Sequence, residues 1–176
     1  MGRRVCSLIV FEGVDGVGKT TLSKLVRDHI CSQNLPCQYR AFPGREPGTL
    51  GHHIYELHHH PKNFGVAEID PLSLQTLHIA AHIDEITGRI KPLLESGVHV
   101  ILDRFWWSTL VYGKVAGARE KLLQNIIKAE IETWKPIVPL ATFLITATES
   151  HRGADDEHSQ KKWQTISEYY RTVALS

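Results

Sequence analysis

Residues 11–21 read Phe11-Glu12-Gly13-Val14-Asp15-Gly16-Val17-Gly18-Lys19-Thr20-Thr21, FEGVDGVGKTT, and lie between an apolar run and a helical pattern. Gly13, separated by four residues from Gly18-Lys19-Thr20, fits the spacing G-x-x-x-x-G-K-[ST] of a phosphate-binding loop. Glycines there let successive backbone N–H groups curl around phosphate oxygens. The helix that follows adds unpaired N–H donors and partial positive charge. Gly13, Val14, Asp15, Gly16, Val17, Gly18, Lys19, Thr20 and Thr21 are therefore the expected nucleoside triphosphate site. Lys19 is placed to reach the outer phosphates and the Thr20 hydroxyl to ligate Mg²⁺. Asp15 is out of place in an anion cradle unless its carboxylate points away, toward a hydroxyl of a second ligand.

Outward from the loop, Val5 to Phe11 reads as a buried strand rich in β-branched residues. Leu22, Leu25, Val26 and Ile30 repeat at helical spacing, and Asn34 and Pro36 stop that helix. Cys37 to Phe42 is a second strand, Pro43 to Gly51 a turn-rich loop, and Leu50 to His60 a short helix. Pro71 opens a long helix, with Leu74, Leu77, Ala81, Ile86, Ile90 and Leu94 as its apolar face, a kink at Pro92 and a stop at Gly97. Val98 to Asp103 is a third strand, Leu122 to Trp134 a helix, and Leu140 to Ile145 a fourth strand. Trp163, Ile166, Tyr170 and Val173 stripe a last helix. Such alternation predicts one α/β domain over residues 1–176, a parallel sheet covered by helices on both faces. Its functional loops belong at the C-terminal edge of the strands.

Composition narrows the partners. The 176 residues are 42% apolar and 22% charged with a formal net charge of +1, which argues for a folded chain without a global field for nucleic acid or a membrane surface. The N-terminal apolar run is short and ends at Glu12, so neither a signal peptide nor a membrane span is expected. Three cysteines without metal-type spacing fit a reduced, cytoplasmic protein.

Three more loops carry chemistry. Asp103-Arg104-Phe105 ends an apolar strand, where an acid can hold Mg²⁺ and a guanidinium can fork a phosphate. Arg45, in GREPG, supplies a second cation from another strand's loop, as an acceptor phosphate would require. The polar loop around 148–158 is the place for a lid, with Arg152 its candidate catalytic cation.

FEGVDGVGKTT, FPGREPG and LDRFWWSTLVYG, in this order of elements, resemble the thymidylate kinase family of P-loop nucleoside monophosphate kinases. The resemblance implies the P-loop NTPase three-layer sandwich and transfer of the γ-phosphoryl of ATP, with Mg²⁺, to a deoxynucleoside 5′-monophosphate, dTMP above all. It implies catalytic roles for Lys19, Asp103, Arg104 and Arg152, and metal ligation by Thr20 and Asp103. For the acceptor it implies Asp15, Phe42, Arg45, Ile79, Arg104, Ser108, Thr109 and Tyr112, with Asp15 facing the sugar hydroxyl and the Tyr112 ring under the deoxyribose. Gly16 stands where some members carry a base after the loop acid, which places this chain with the branch that uses a lid arginine. The family's long helix carries an aromatic residue for thymine and, one turn later, an arginine. An ungapped alignment through LHIAAHIDE sets Ile79 and Ile83 there, and a register shifted by one sets His78 or His82. The family also implies a homodimer, and about one strand and one helix more than this sequence contains after its last helix.

Ile79, Ile83 and the short lid motivate two other readings: a kinase of another nucleotide or of a nucleoside, and a catalytically weak P-loop nucleotide-binding protein. His52, Glu56 and His60 would share one helical face, but no further ligand closes a metal site, so a solvated or interfacial face is expected. Trp106 and Trp107 are expected to pack around the acceptor pocket.

Overall fold

The computed structural model describes residues 6–150 and 157–175. Four strands, β1 (Leu8–Glu12), β2 (Cys37–Ala41), β3 (His99–Asp103) and β4 (Ala141–Leu144), form one parallel sheet in the order β2-β3-β1-β4. Phe11 lies beside Asp103, Ala41 beside Asp103, and Glu12 beside Leu144. All four C-terminal ends therefore reach one edge. The chain leaves β1 for one side of the sheet and β3 for the other, so the loops after these neighbouring strands part and open a crevice.

Side-chain alternation divides the core between the two faces. Phe11 and Ile101 point toward α1 (Lys19–Ser32), packing with Val26 and Ile30. Leu8, Val10, Val100 and Leu102 point the other way, against Ile86, Ile90 and Trp134 of the opposite layer. That layer holds α3 (Pro71–Glu85), α4 (Lys91–Glu95), α5 (Trp106–Val115) and α6 (Glu120–Trp134), with α2 (Leu50–His59) packed on α3. The last helix, α7 (Glu157–Ala174), packs on α5 and β4. The expected three-layer α/β sandwich is thus present. Among the described residues no helix is long and apolar enough to cross a membrane.

Local chemistry explains most boundaries. Asp70 caps α3 by accepting from Leu72 N and Ser73 N, both at 3.0 Å, and Pro71 occupies the first turn. Thr49 caps α2 by accepting from His52 N at 3.0 Å. The kink expected at Pro92 takes the form of a π-helical turn, Ile86–Ile90, joining α3 to α4. Proline cannot donate to the preceding turn and its ring crowds the carbonyl four residues back, so a widened turn accommodates it. The sequence reading assigned no helix to Trp106–Val115. Helix α5 is apolar on most sides because α3, α6 and α7 all pack on it, so it shows no single stripe.

Candidate active site

The loop between β1 and α1 is shaped by its glycines. Gly13 has φ +140°, and a Cβ there would lie 2.4 Å from the Ile145 carbonyl oxygen of the strand-end next door. Gly18, with φ +88°, forms the N-terminal cap of α1. Val14 and Val17 turn inward, packing with Val111, Ile166 and Tyr170, so they contribute backbone to the loop surface. Lys19 is 5% exposed and folds back to donate to Val14 O at 2.8 Å. Burial, reinforced by Arg104, brings its ammonium down to about 8, against the opposing pull of Asp15, Asp103 and Glu12. Thr20 and Thr21 open α1.

Asp103 ends β3 beside this loop. Its Oδ2 accepts from Thr20 Oγ1 at 2.6 Å and from Tyr39 OH at 3.0 Å. Hydroxyl and carboxylate are hard oxygen donors, the set that suits Mg²⁺, and they meet where the phosphate loop enters its helix.

Asp15 does point away from the loop's own cradle. It forms an ion pair with Arg104 and accepts from Tyr112 OH at 2.8 Å. Burial disfavours its charge, but Arg104 and Lys19 outweigh that and hold the carboxyl at about 2. Arg104 has φ +80°, a left-handed conformation unusual for a side-chain-bearing residue. Its guanidinium also donates to Ser108 Oγ at 3.0 Å and to Tyr170 OH at 3.2 Å. Arg45 lies over the Tyr55 ring at 4.6 Å.

Two adjoining clefts meet here. One, of about 380 Å³, is lined by Lys19, Thr20, Asp103, Tyr39, Arg40 and Glu46 together with Asp15, Phe42, Arg45 and Arg104. The second, of about 200 Å³, shares those last four and runs on between α2, α3 and α5. Lys19, Arg45 and Arg104 thus come from three loops to one cavity. Ser108, Thr109 and Tyr112 line the second cleft. The Thr109 Oγ1 is buried and has no hydrogen-bond partner among the described residues.

Helix α3 presents a different register from the ungapped alignment. Ile79 is 4% exposed and turned into the protein, and it lines neither cleft. His78 and His82, one residue back and one turn apart, line the second cleft with Gln75. The His82 ring stacks on Phe42 with centroids 4.0 Å apart and planes at 10°, and its Nδ1 lies 2.9 Å from Oε2 of the buried Glu130. His78 Nε2 lies 3.2 Å from His58 Nδ1. Burial, then His82 and His58, bring His78 down to about 3, so it is neutral at physiological pH. Among the described residues no group of three or more His, Cys, Asp or Glu side chains is placed to hold a metal. Arg152 lies outside the described residues.

Several residues at the site escaped the sequence reading. Glu12, in the quoted stretch, is fully buried and accepts from Phe105 N at 2.7 Å, Ser108 N at 3.1 Å and Ser108 Oγ at 2.7 Å. An acid ending an otherwise apolar strand was the available signal. Trp163 Nε1 donates to Asp15 O at 2.7 Å, and Tyr170 reaches Arg104; both are stripe residues of the last helix that carry a polar atom at their tips.

A model of the thymidylate kinase family matches residues 11–175. The chain is 32% identical over 166 residues to the thymidylate kinase of Chlamydia caviae, covering 93% of this chain and 78% of that one. It is 30% identical over 166 residues to the thymidylate kinase of Bifidobacterium longum, with the same shares covered. A crystal structure of thymidylate kinase from Ehrlichia chaffeensis superposes with a TM-score of 0.73 at 25% identity, covering 96% of this chain and 82% of that one.

Proposed function

The chain belongs to the thymidylate kinase family, and on that premise we propose how its residues divide the work of phosphorylating dTMP with ATP. The single observation that carries the assignment is the meeting of Lys19, Arg45 and Arg104 in one cleft beside the phosphate loop. Two anions repel each other, and a transferring phosphoryl group spreads negative charge over its oxygens. Cations drawn from three loops offset both.

In this reading residues 13–21 bind the ATP phosphates through backbone N–H groups, with Lys19 on the outer ones. Thr20 and Asp103 hold Mg²⁺, which supplies charge neutralisation on the phosphate oxygens when bound. The dTMP phosphate lies against Arg45 and Arg104, and its nucleoside enters the second cleft. Asp15 and Tyr112 face the sugar there, and Phe42, His78, His82 and Thr109 surround the base. Histidines in the places expected to hold Ile79 and Ile83 give this pocket flat rings that stack and nitrogen atoms that hydrogen-bond. That removes the sequence-level motive for a different acceptor. Arg152, which lies outside the described residues, remains the proposed lid cation. The protein acts in the cytoplasm as a single-domain homodimer, without nucleic-acid or membrane partners.

A coupled assay of ADP release over dTMP, dUMP, dCMP and thymidine tests this. Turnover highest with dTMP is expected. ATP binding without acceptor-stimulated ADP release sinks the assignment. Light scattering tests the dimer separately, and a monomer at every concentration removes it.

A further inference from the structure

Arg104 is held by more than its ion pair. Its NH1 donates to Ser108 Oγ and to Tyr170 OH, and those two oxygens lie 2.7 Å apart. Ser108 Oγ lies 2.7 Å from Glu12 Oε2. The donors can be counted. Ser108 has one hydroxyl proton and gives it to the Glu12 carboxylate, so Tyr170 must give its own to Ser108. Both oxygens are then left as acceptors toward the guanidinium. The order Tyr170 to Ser108 to Glu12 is thus a one-way chain of hydroxyl groups ending on a carboxylate.

We propose that this chain positions Arg104 for phosphoryl transfer, and that Tyr170 of α7 is a positioning residue for the reaction. Both ends of the chain are shielded from water, with Tyr170 1% exposed and Glu12 0%, while Ser108 between them lines the second cleft. Arg104 needs such support because φ +80° is a conformation its backbone leaves unless its surroundings over-determine it. Glu12 fixes the same turn from the other side, since its Oε1 accepts from Phe105 N and Ser108 N, the entry to α5. Helix α7 therefore touches both anion sites: Trp163 holds the Asp15 carbonyl of the phosphate loop, and Tyr170 holds the arginine of the acceptor side. This role rests on the functional reading above.

Protonation of Glu12 reverses the chain. Its Oε2 would then donate to Ser108, Ser108 to Tyr170, and Tyr170 would be left with a proton to place beside a cation. The groups facing Glu12 are Lys19 of α1, Arg104, Ser108 of α5 and Tyr170 of α7. Burial pushes its carboxyl up to about 7 against the pull of Arg104, so the reversal falls near neutral pH.

Steady-state kinetics with dTMP and ATP test the proposal. Tyr170→Phe removes one oxygen and is expected to lower kcat about tenfold, one charge-assisted hydrogen bond, with KM for ATP changed less than twofold. Ser108→Ala is expected to match it, and Ser108→Thr, which keeps the hydroxyl, to recover most of the loss. In Glu12→Gln the part of the rise of kcat/KM through about pH 7 that belongs to Glu12 disappears. If Tyr170→Phe merely melts lower while kcat holds, or if Ser108→Thr loses as much as Ser108→Ala, the relay is wrong. A wild-type protein inactive with every acceptor sinks the kinase reading and the relay together. An active wild type beside an equally active Tyr170→Phe sinks the relay alone.

Discussion

Replacing Lys19 by methionine is expected to abolish ATP binding and, against the usual trend of mutations, to stabilise the ligand-free fold. Lys19 is 5% exposed, and its ammonium donates to the Val14 carbonyl. Its ammonium drops from an ordinary 10.5 to about 8, with burial as the largest cause. At 1.36 kcal/mol for each pH unit, the charged form is worth about 3 kcal/mol less in the fold than in the unfolded chain. The unfolded chain therefore binds more protons between about pH 8 and 10.5. Stability from this group is lowest below about 8 and rises with pH across that window. Methionine keeps the apolar stem and drops the charge. After roughly 1 kcal/mol for the lost bond to Val14 O, about 2 kcal/mol of stabilisation remains at pH 7. For a chain of this size that raises Tm by roughly 5 °C. ATP reverses the balance, because phosphate oxygens make the charged form favourable. If only the charged form binds, the wild-type affinity for Mg·ATP falls about tenfold from pH 7 to pH 9. Calorimetric titrations over that range, with melting curves of both proteins without nucleotide, measure the two effects. A Lys19→Met protein that melts below wild type at pH 7, or an ATP affinity that is flat from pH 7 to 9, refutes the reasoning.

Arg45→Ala removes a cation held over Tyr55 and is expected to raise KM for dTMP about tenfold while KM for ATP changes little; equal effects on both would take Arg45 out of the acceptor site. Thr109→Val replaces a buried hydroxyl that has no partner among the described residues by a methyl of similar size. The free protein is expected to gain about 1 kcal/mol while KM for dTMP rises severalfold, and a lower urea midpoint would contradict this. Gly13→Ala sets a Cβ 2.4 Å from the Ile145 carbonyl in a backbone of φ +140°. A loss of roughly 2 kcal/mol or more, with loss of ATP binding, is expected from denaturant curves and titration; a protein of wild-type stability would show that the loop has room to shift.

How far the sequence reached depended on whether a residue's role was local. The phosphate loop was legible because backbone geometry demands glycines at fixed spacing and a lysine beside them. The central strands β1 and β3 were legible because a sheet buried on both faces needs continuous apolar runs, whereas the edge strand β2, CQYRA, was legible only from the breaks that flank it. Helix α5 was not, since burial on several sides erases the stripe that marks a surface helix. The register of α3 failed for a different reason: an ungapped alignment set Ile79 in the cleft, and an offset of one residue sets His78 and His82 there instead. Ile79 and His82 are both buried, at 4% and 3%, but one fills the core and the other lines a cleft with Glu130 behind it. Hydrophobicity favours isoleucine for an inward position. The contact with Glu130, 48 residues further along on α6, and the stack on Phe42 give the histidine a reason to be there. Glu12 follows the same logic. At the end of an apolar strand it reads as a boundary, yet it is fully buried, because three donors from residues more than ninety positions away converge on its carboxylate. Tyr170 was visible as one of four stripe residues, and its ring does fill the core beside Val14 and Val111. Its hydroxyl is what meets Arg104 and Ser108, and periodicity cannot distinguish a tyrosine kept for its ring from one kept for its oxygen. A Tyr170→Phe protein makes that distinction directly, since it leaves the packing in place and removes the atom that only the folded chain brings to the site.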